Sequence, residues 1–500
     1  MAEKNNANIG FESQIWDAAC VLWGHIPAAE YRNIIIGLIF LRYISTAFER
    51  KYLQLIEEGD GFENDPDAYA EDNIFFVPEN ARWATIAAAA HTPEIGNVID
   101  NAMREIEDNK KLKGVLPKNF GNPDLDKTVL GDVVDLFTNM DMSDTEGNRD
   151  ILGRTYEYCI AQFAEKEGKG GGEFYTPSSI VNTLVAILKP YADCRVYDPC
   201  CGSGGMFVQS AKFIEAHSGK RGQMSIYGQE ANPDTWKMAV MNLTIRGMEA
   251  DLGSYHADTF TKDQHPTLKA DFIMANPPFN YQPWGHDSLL NDVRWKYGVP
   301  PASNANFAWI QHMIHHLAPN GKIGLVLANG ALSSQTGGEG EIRKRIIEDD
   351  LIEGIVALPA QLFYSVTIPA TLWFITKNKK QKGKTVFIDA RQLGYMVDRK
   401  HRDFSEEDIS KIADTFEAFQ EGTLEDIKGF CAVAETADIA KQDYILTPGR
   451  YVGIEEKEDD GEPFEEKMER LTSELSEMFT KSHELEDEIR RKLGAIGYEL

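Results

Sequence analysis

The sequence is short of cationic side chains, of paired cysteines and of long apolar runs, and each shortage argues against a class of protein. Lysine and arginine number 51 against 79 aspartates and glutamates, a formal net charge of −28. So acidic a chain binds a polyanion weakly by itself, because phosphate neutralisation dominates affinity for nucleic acid. A nucleic-acid function therefore needs a local basic groove, or a partner that supplies the phosphate contacts. The six cysteines, Cys20, Cys159, Cys194, Cys200, Cys201 and Cys431, form no C-x-x-C pair and have no neighbouring histidines. That pattern argues against a disulfide framework or a zinc site and fits reduced thiols in a cytoplasm. The strongest apolar stretch, Ile34 to Leu41, stops at Arg42, far short of the roughly 20 residues of a membrane span. No signal-peptide pattern opens the sequence, so a soluble, cytoplasmic protein with no membrane partner is expected. The adjacent His315 and His316 invite a metal reading, but neighbours on a helix point apart, and no metal site is expected.

What is present divides into three parts. A length of 500 residues exceeds a single hydrophobic core, so two or three domains are expected. To about residue 165 the pattern is helical: Trp16, Ala19, Cys20 and Trp23, then Leu38, Leu41, Ile44 and Phe48, fall at helical spacing. Val133, Leu136, Phe137 and Met140 mark a further short helix beyond a polar stretch from Gly59 to Asn73. The run from Glu165 to Gly172, rich in glycine and lysine, reads as a hinge.

Short β-branched runs then alternate with helical segments. Strands are expected at Arg195–Tyr197, Met224–Gly228, Ser254–His256, Phe272–Ala275, Ile323–Ala328, Ile352–Leu358 and Thr371–Ile375. Helices are expected at Gly204–His217, Pro233–Arg246, Ala305–Leu317 and Glu339–Glu348. This alternation predicts an α/β doubly wound sheet with helices on both faces and ligands at the carboxyl ends of its strands. Past residue 400 the rhythm fades. Phe464, Met468, Leu471, Leu475, Met478, Leu485 and Ile489 then step by threes and fours, with Ser482 filling the one polar slot, which predicts a long helix that packs on another helix, internal or from a partner. The expected division is residues 1–165, 166–400 and 401–500.

The strongest chemical signal is the stretch from Val196 to Gly205, Val-Tyr-Asp-Pro-Cys-Cys-Gly-Ser-Gly-Gly. A strand ending at Asp198 runs into Gly202, Gly204 and Gly205, which let the backbone turn sharply and approach a ligand closely. It is neither a G-x-G-x-x-G fingerprint nor a P-loop. The second strand ends at Glu230, where a carboxylate can accept both hydroxyls of a ribose. Asp258 is expected to close the third strand and to receive a purine amino group. Together the three strand ends describe a nucleoside site.

After the fourth strand comes Asn276-Pro277-Pro278-Phe279. Here the sequence resembles the amino-methyltransferases, whose signature is Asn/Asp-Pro-Pro-Tyr/Phe. An exocyclic ring amine is a poor nucleophile because its lone pair is delocalised. The resemblance implies that the Asn276 side-chain carbonyl and the Pro277 main-chain carbonyl accept its hydrogens and localise that pair. Pro277 and Pro278 stiffen the loop, and Phe279 stacks on the target base. The same resemblance implies S-adenosyl-L-methionine as cofactor on a Rossmann-like domain. Its contacts would be Phe174, Tyr175 and Thr176, then Asp198, Cys200, Gly202, Ser203, Gly204 and Gly205, then Glu230, Asp258 and Asn276. Asn306 and Phe307, opening the next helix, match a further family segment.

The loop alone serves DNA-adenine, RNA and protein-glutamine methyltransferases, and a non-catalytic cofactor-binding scaffold is the other rival. Three further segments narrow the choice: Ile15 to Ala19 with Gly37 to Ser45, Gly172 to Pro177, and Asp443 to Val452. They resemble the modification subunits of type I restriction-modification systems, in the same domain order. One departure is the adjacent Cys200 and Cys201, where a single cysteine is usual. The resemblance implies double-stranded DNA as substrate, a separate specificity subunit, a second copy of this chain per complex, and optionally a restriction subunit. The target adenine must then leave the duplex to reach Asn276.

Overall fold

The computed structural model describes residue 16 and residues 28–72, 74–107, 112–139, 156–163, 175–218, 224–363, 369–399, 401–454 and 464–495. Contacts group the chain into two units, Met1–Gly453 and Ile454–Leu500. Among the described residues no helix is long and apolar enough to cross a membrane.

The first part is helical. Helix α1 (Ala28–Glu58) buries Ile35, Leu38, Ile39, Leu41 and Phe48. Helices α2 (Ile95–Ile106) and α3 (Lys127–Thr138) close the same core, and Asp126 caps α3 by accepting from the amides of Thr128 and Val129. Trp16 belongs to this core; Ala19, Cys20, Trp23, Met140 and the glycine-rich hinge lie outside the described residues.

Among the described residues eleven strands follow: β1 (Cys194–Asp198), β2 (Met224–Gly228), β3 (Ala250–Asp251), β4 (Ala270–Ala275), β5 (Leu317–Ala328), β6 (Ile352–Ala357), β7 (Ala370–Thr376), β8 (Lys384–Asp389), β9 (Tyr395–Met396), β10 (Arg402–Asp403) and β11 (Cys431–Glu435). Nine of them form one sheet in the order β11-β8-β6-β7-β5-β4-β1-β2-β3. Strands β3, β2, β1, β4 and β5 are mutually parallel, whereas β7 runs antiparallel between β5 and β6. The order reverses at β1 and β4, the crevice in which open α/β sheets bind ligands.

Both faces of the sheet are buried, and the period-2 alternation of strands sorts the side chains. Met274, Val326 and Phe374 face one core, which includes helix α4 (Ser178–Leu188), helix α5 (Gly205–Ser218) and residues of α9 (Glu406–Glu421). Ile273, Leu325 and Trp373 face the other, under α7 (Asn306–His316) and α8 (Glu339–Glu348). Helix α6 (Pro233–Ile245), capped by Asn232, adds Met238 and Met241 to the N-terminal core, and Tyr156 Oη donates to Met238 O at 2.7 Å.

Two expectations are corrected. The third strand is not Ser254–His256 but Ala250–Asp251, because Asp251 accepts from the Gly253 amide at 3.0 Å and Gly253 turns with φ +77°. That Asx turn ends pairing before Ser254. The β/α pattern does not stop at residue 400: α9, closed by a capping box of Ser405 with Asp408, and β11, antiparallel to β8, extend the layers to Glu435. Helix α4 and strand β8 were not among the expected elements. In the second unit, α10 (Phe464–Ala495) is 32 residues long, and Met468, Leu471, Leu475, Met478, Leu485 and Ile489 are all exposed.

Candidate active site

The turn after β1 is built from backbone bonds. Asp198 is buried and accepts from the Cys200 amide at 3.0 Å. Gly202 and Gly204 adopt φ of +54° and +82°, the left-handed region that glycine enters without steric cost. A Cβ placed on Gly205 would meet nothing within 4 Å, so space opens beside the turn. The Asn242 amide of α6 holds Ser203 from behind, donating to its carbonyl at 2.7 Å.

Glu230 stitches the second strand end to this turn. One carboxylate oxygen accepts from the Gly202 amide at 3.1 Å, the other from the Asn232 amide at 2.8 Å. Its carbonyl accepts from Ala257 N at 2.8 Å, which draws in the loop carrying Asp258. Asp258 thus arrives on a loop rather than at a strand end, as the correction to β3 requires. Its Oδ1 accepts from both the amide and the hydroxyl of Thr261, each at 2.8 Å.

Asn276 follows β4, which pairs with β1 so that Tyr197 lies beside Ile273; the two strand ends emerge side by side. Its Nδ2 donates to Thr176 Oγ1 at 3.0 Å, while Oδ1 is buried and has no partner among the described residues. Pro277 is buried, and Phe279 packs edge-on against Phe363, with ring centroids 6.0 Å apart at 78°. The loop's exit is locked by a reciprocal pair, Asn280 N donating to Asn306 Oδ1 and Asn306 Nδ2 to Asn280 Oδ1.

Gly202, Glu230 and the Asp258 loop are therefore bonded together, and Asn276 sits on the neighbouring strand end with Thr176. Tyr175 packs against the N-terminal core, and Phe307 is fully buried against Trp373. Phe174 lies outside the described residues.

Burial pushes the Asp198 carboxyl up to about 7, aided by the nearby Glu230 charge and opposed by the Cys200 amide. Burial and Asp198 also push the thiols of Cys200 and Cys201 well up, so both stay protonated and neither is an activated nucleophile. His316 clusters with His312 and Asp263 rather than with His315. Its nitrogens meet Asp263 at 2.9 Å and the Leu268 carbonyl at 3.1 Å, while those of His312 meet Tyr197 Oη and the Arg294 guanidinium. These hydrogen bonds, and a cation already against the cluster, make it a polar network.

Two lysines of the basic run from Lys377 to Lys384 are likewise engaged. Lys379 is buried against Asp350 at 2.6 Å, and Lys377 donates to Leu317 O. Arg391 clamps Asp389. Residues that the sequence did not single out also shape the site: Phe363, Arg294 and the buried Gln229. The Gln229 amide donates to the carbonyls of Ala257 and Lys262.

Comparison with known proteins agrees with this layout. Residues 147–460 match the N-6 DNA Methylase family, and residues 11–137 match the HsdM N-terminal domain. The chain is 52% identical over 445 residues to the HindI type I restriction enzyme methylase subunit of Haemophilus influenzae, covering 85% of this chain and 100% of that one. It is 38% identical to the MjaIX methylase subunit of Methanocaldococcus jannaschii, covering 98% and 92%. It shares its fold, at a TM-score of 0.77 and 24% identity, with the type I restriction-modification methyltransferase subunit of Streptococcus thermophilus, over 89% of this chain and 99% of that one. The chain belongs to the N-6 DNA methylase family and, within it, to the methylase subunits of type I restriction enzymes.

Proposed function

We propose that this chain methylates the N6 amine of adenine in double-stranded DNA, with Asn276 and Pro277 as the acceptors that bind and orient that amine. The observation that carries the reading is the state of the Asn276 amide. Its nitrogen is fixed on Thr176, and its buried oxygen is left without a partner among the described residues. An unpaired buried acceptor is costly, and an amine delivered into the site satisfies it. The Pro277 carbonyl supplies a second acceptor on a loop that proline rings keep rigid. Phe279 offers its ring to the extruded base once Phe363 gives way.

The residues at the strand ends fit S-adenosyl-L-methionine: two left-handed glycines, open space at Gly205, and acids at the next two strand connections. That cofactor supplies a methyl group on an electrophilic sulfonium. Glu230 would hold its ribose hydroxyls and Asp258 its adenine amino group, with Thr176, Asp198, Cys200 and Ser203 around the glycine turn. Phe174 and Tyr175 complete the proposed set.

The net charge of −28 favours partners for DNA contact. We assign sequence reading to a specificity subunit, place a second copy of this chain in the complex, and assign the exposed stripe of α10 to that assembly. A restriction subunit is an optional addition. The division into residues 1–165, 166–400 and 401–500, with α9 and β11 of the last part completing the sheet of the second, and a cytoplasmic location, belong to the same reading. Labelled methyl transfer tests it. Duplex DNA becomes labelled at adenine N6 when the chain and its specificity partner are mixed; DNA left unlabelled while RNA or protein takes the label overturns it.

A further inference from the structure

We propose that Arg294 is a positioning residue that braces the Asp258 loop for the adenosine end of the cofactor, an inference resting on the methyl-transfer reading above. Arg294 is buried, and its guanidinium donates to two successive carbonyls immediately after Asp258: to Thr259 O at 3.2 Å and to Phe260 O at 2.6 Å. Asp292 grips the same guanidinium from the far side, accepting from Nε at 2.8 Å and from a terminal nitrogen at 2.7 Å. His312 of α7 completes the clamp with its Nδ1, 3.1 Å from the guanidinium. Burial lowers the proton affinity of His312 well below the ordinary range, so the ring is neutral and Nδ1 keeps a lone pair for the arginine.

Without this brace the Asp258 loop keeps its other ties to the strand ends, among them the Gln229 amide on the carbonyls of Ala257 and Lys262. Ala257 N donates to Glu230 O at 2.8 Å, and Thr259 Oγ1 donates to Pro199 O at 2.5 Å. None of these bonds ends on the carbonyls of residues 259 and 260, which set the direction of the chain leaving Asp258. A bidentate arginine does so with geometry that a lysine cannot reproduce.

The position of Arg294 in the chain gives the brace a second meaning. It lies in the segment that leaves the Asn-Pro-Pro-Phe loop and returns to α7, and Asn306 at the start of α7 holds Asn280 at that loop's exit. The cofactor-side loop and the base-side loop are thus tied to one helix, at His312 and at Asn306. Arg294 touches neither substrate nor reacting atoms in this scheme; it acts through Asp258.

The test measures binding of S-adenosylhomocysteine and of its analogue lacking the adenine amino group, by calorimetry on the full chain. Wild type is expected to prefer the amino form by about tenfold or more, the value of a hydrogen bond to a charged acceptor. In Arg294→Lys that preference collapses toward unity, as it does in Asp258→Ala, and combining the two substitutions causes no further loss. The apparent KM for the cofactor rises in Arg294→Lys, while kcat at saturating cofactor changes little. If Arg294→Lys fails to fold, Asp292→Asn, which leaves the arginine in place and loosens its grip, carries the same expectation. A wild type that discriminates and an Arg294→Lys or Asp292→Asn that discriminates equally overturn the role of Arg294 alone. A wild type that binds both ligands equally removes the assignment of Asp258, and the brace with it. A wild type that binds neither overturns the methyl-transfer reading itself.

Discussion

Replacing Asn276 by alanine should separate stability from catalysis, because the side chain holds one satisfied and one orphaned polar atom. An unmet buried acceptor costs about 1–3 kcal/mol, and an ordinary hydrogen bond contributes about 0.5–1.5 kcal/mol. Removing both leaves Asn276→Ala between about 0.5 kcal/mol less stable and about 2.5 kcal/mol more stable than wild type. The typical point substitution instead destabilises by about 1 kcal/mol, so a gain in stability, or a loss no greater than about 0.5 kcal/mol, is the expected result. Methyl transfer should fall by at least about 10²–10³-fold, by analogy with removing one preorganised donor from an oxyanion hole. Equilibrium urea denaturation of the free chain reads the first effect, labelled methyl transfer with the specificity partner reads the second, and calorimetry with S-adenosylhomocysteine should show binding retained. A variant that keeps more than about a tenth of the wild-type rate would refute the role given to the amide oxygen. So would a loss of stability well beyond about 1 kcal/mol, since it would mean that the oxygen is not an unmet acceptor.

Other outcomes follow from the same geometry. Burial pushes the Asp198 carboxyl up to about 7 in the folded chain, against 3.8 for an ordinary aspartate. The folded state therefore holds a proton that the unfolded state has lost between those values, so this group's contribution to stability falls as pH rises from 4 to 7. Asp198→Asn should flatten that slope in pH-dependent denaturation, and an unchanged slope would show that the carboxyl ionises normally. Phe279→Ala should lower kcat/KM on DNA by about 5–150-fold, the equivalent of about 1–3 kcal/mol of lost stacking, with cofactor affinity unchanged; equal kcat/KM would remove the ring from base binding. Deleting the chain from Phe464 onward should abolish co-elution with the specificity partner in size-exclusion chromatography while leaving S-adenosylhomocysteine binding intact. A complex of unchanged size would refute the role assigned to the exposed stripe.

The central strands were legible because both faces of the sheet are buried, which leaves β1, β2, β4, β5, β6 and β7 as short apolar runs between turn signals. Strand β3 was not, because two exposed residues carry no periodicity and the nearby β-branched-poor run at Ser254 is held by an Asx turn instead. Strand β11 escaped notice because it joins the sheet across more than forty residues from its partner β8, a pairing that local pattern cannot announce. At the site, the glycine turn and the Asn-Pro-Pro-Phe loop declare themselves, since each needs residue types with special backbone behaviour. The carboxylate of Glu230 was correctly set beside the glycine turn by strand position alone. Arg294 could not be read, because an arginine that donates to main-chain carbonyls leaves no mark on the residues it holds. The partnering of His316 with His312, one helical turn earlier, is visible in the spacing once the helix is accepted, and the adjacent His315 distracted from it.

The parallel half of the sheet ends in a rail only two residues long, Ala250 and Asp251, both exposed. A five- or six-residue strand in that place would hold out a row of unsatisfied amides and carbonyls to any passing chain. This rim offers barely one rung, carries a negative charge on it, and bends away at Gly253. The short, charged, turned-away rim thereby keeps the sheet from zippering to a neighbouring chain.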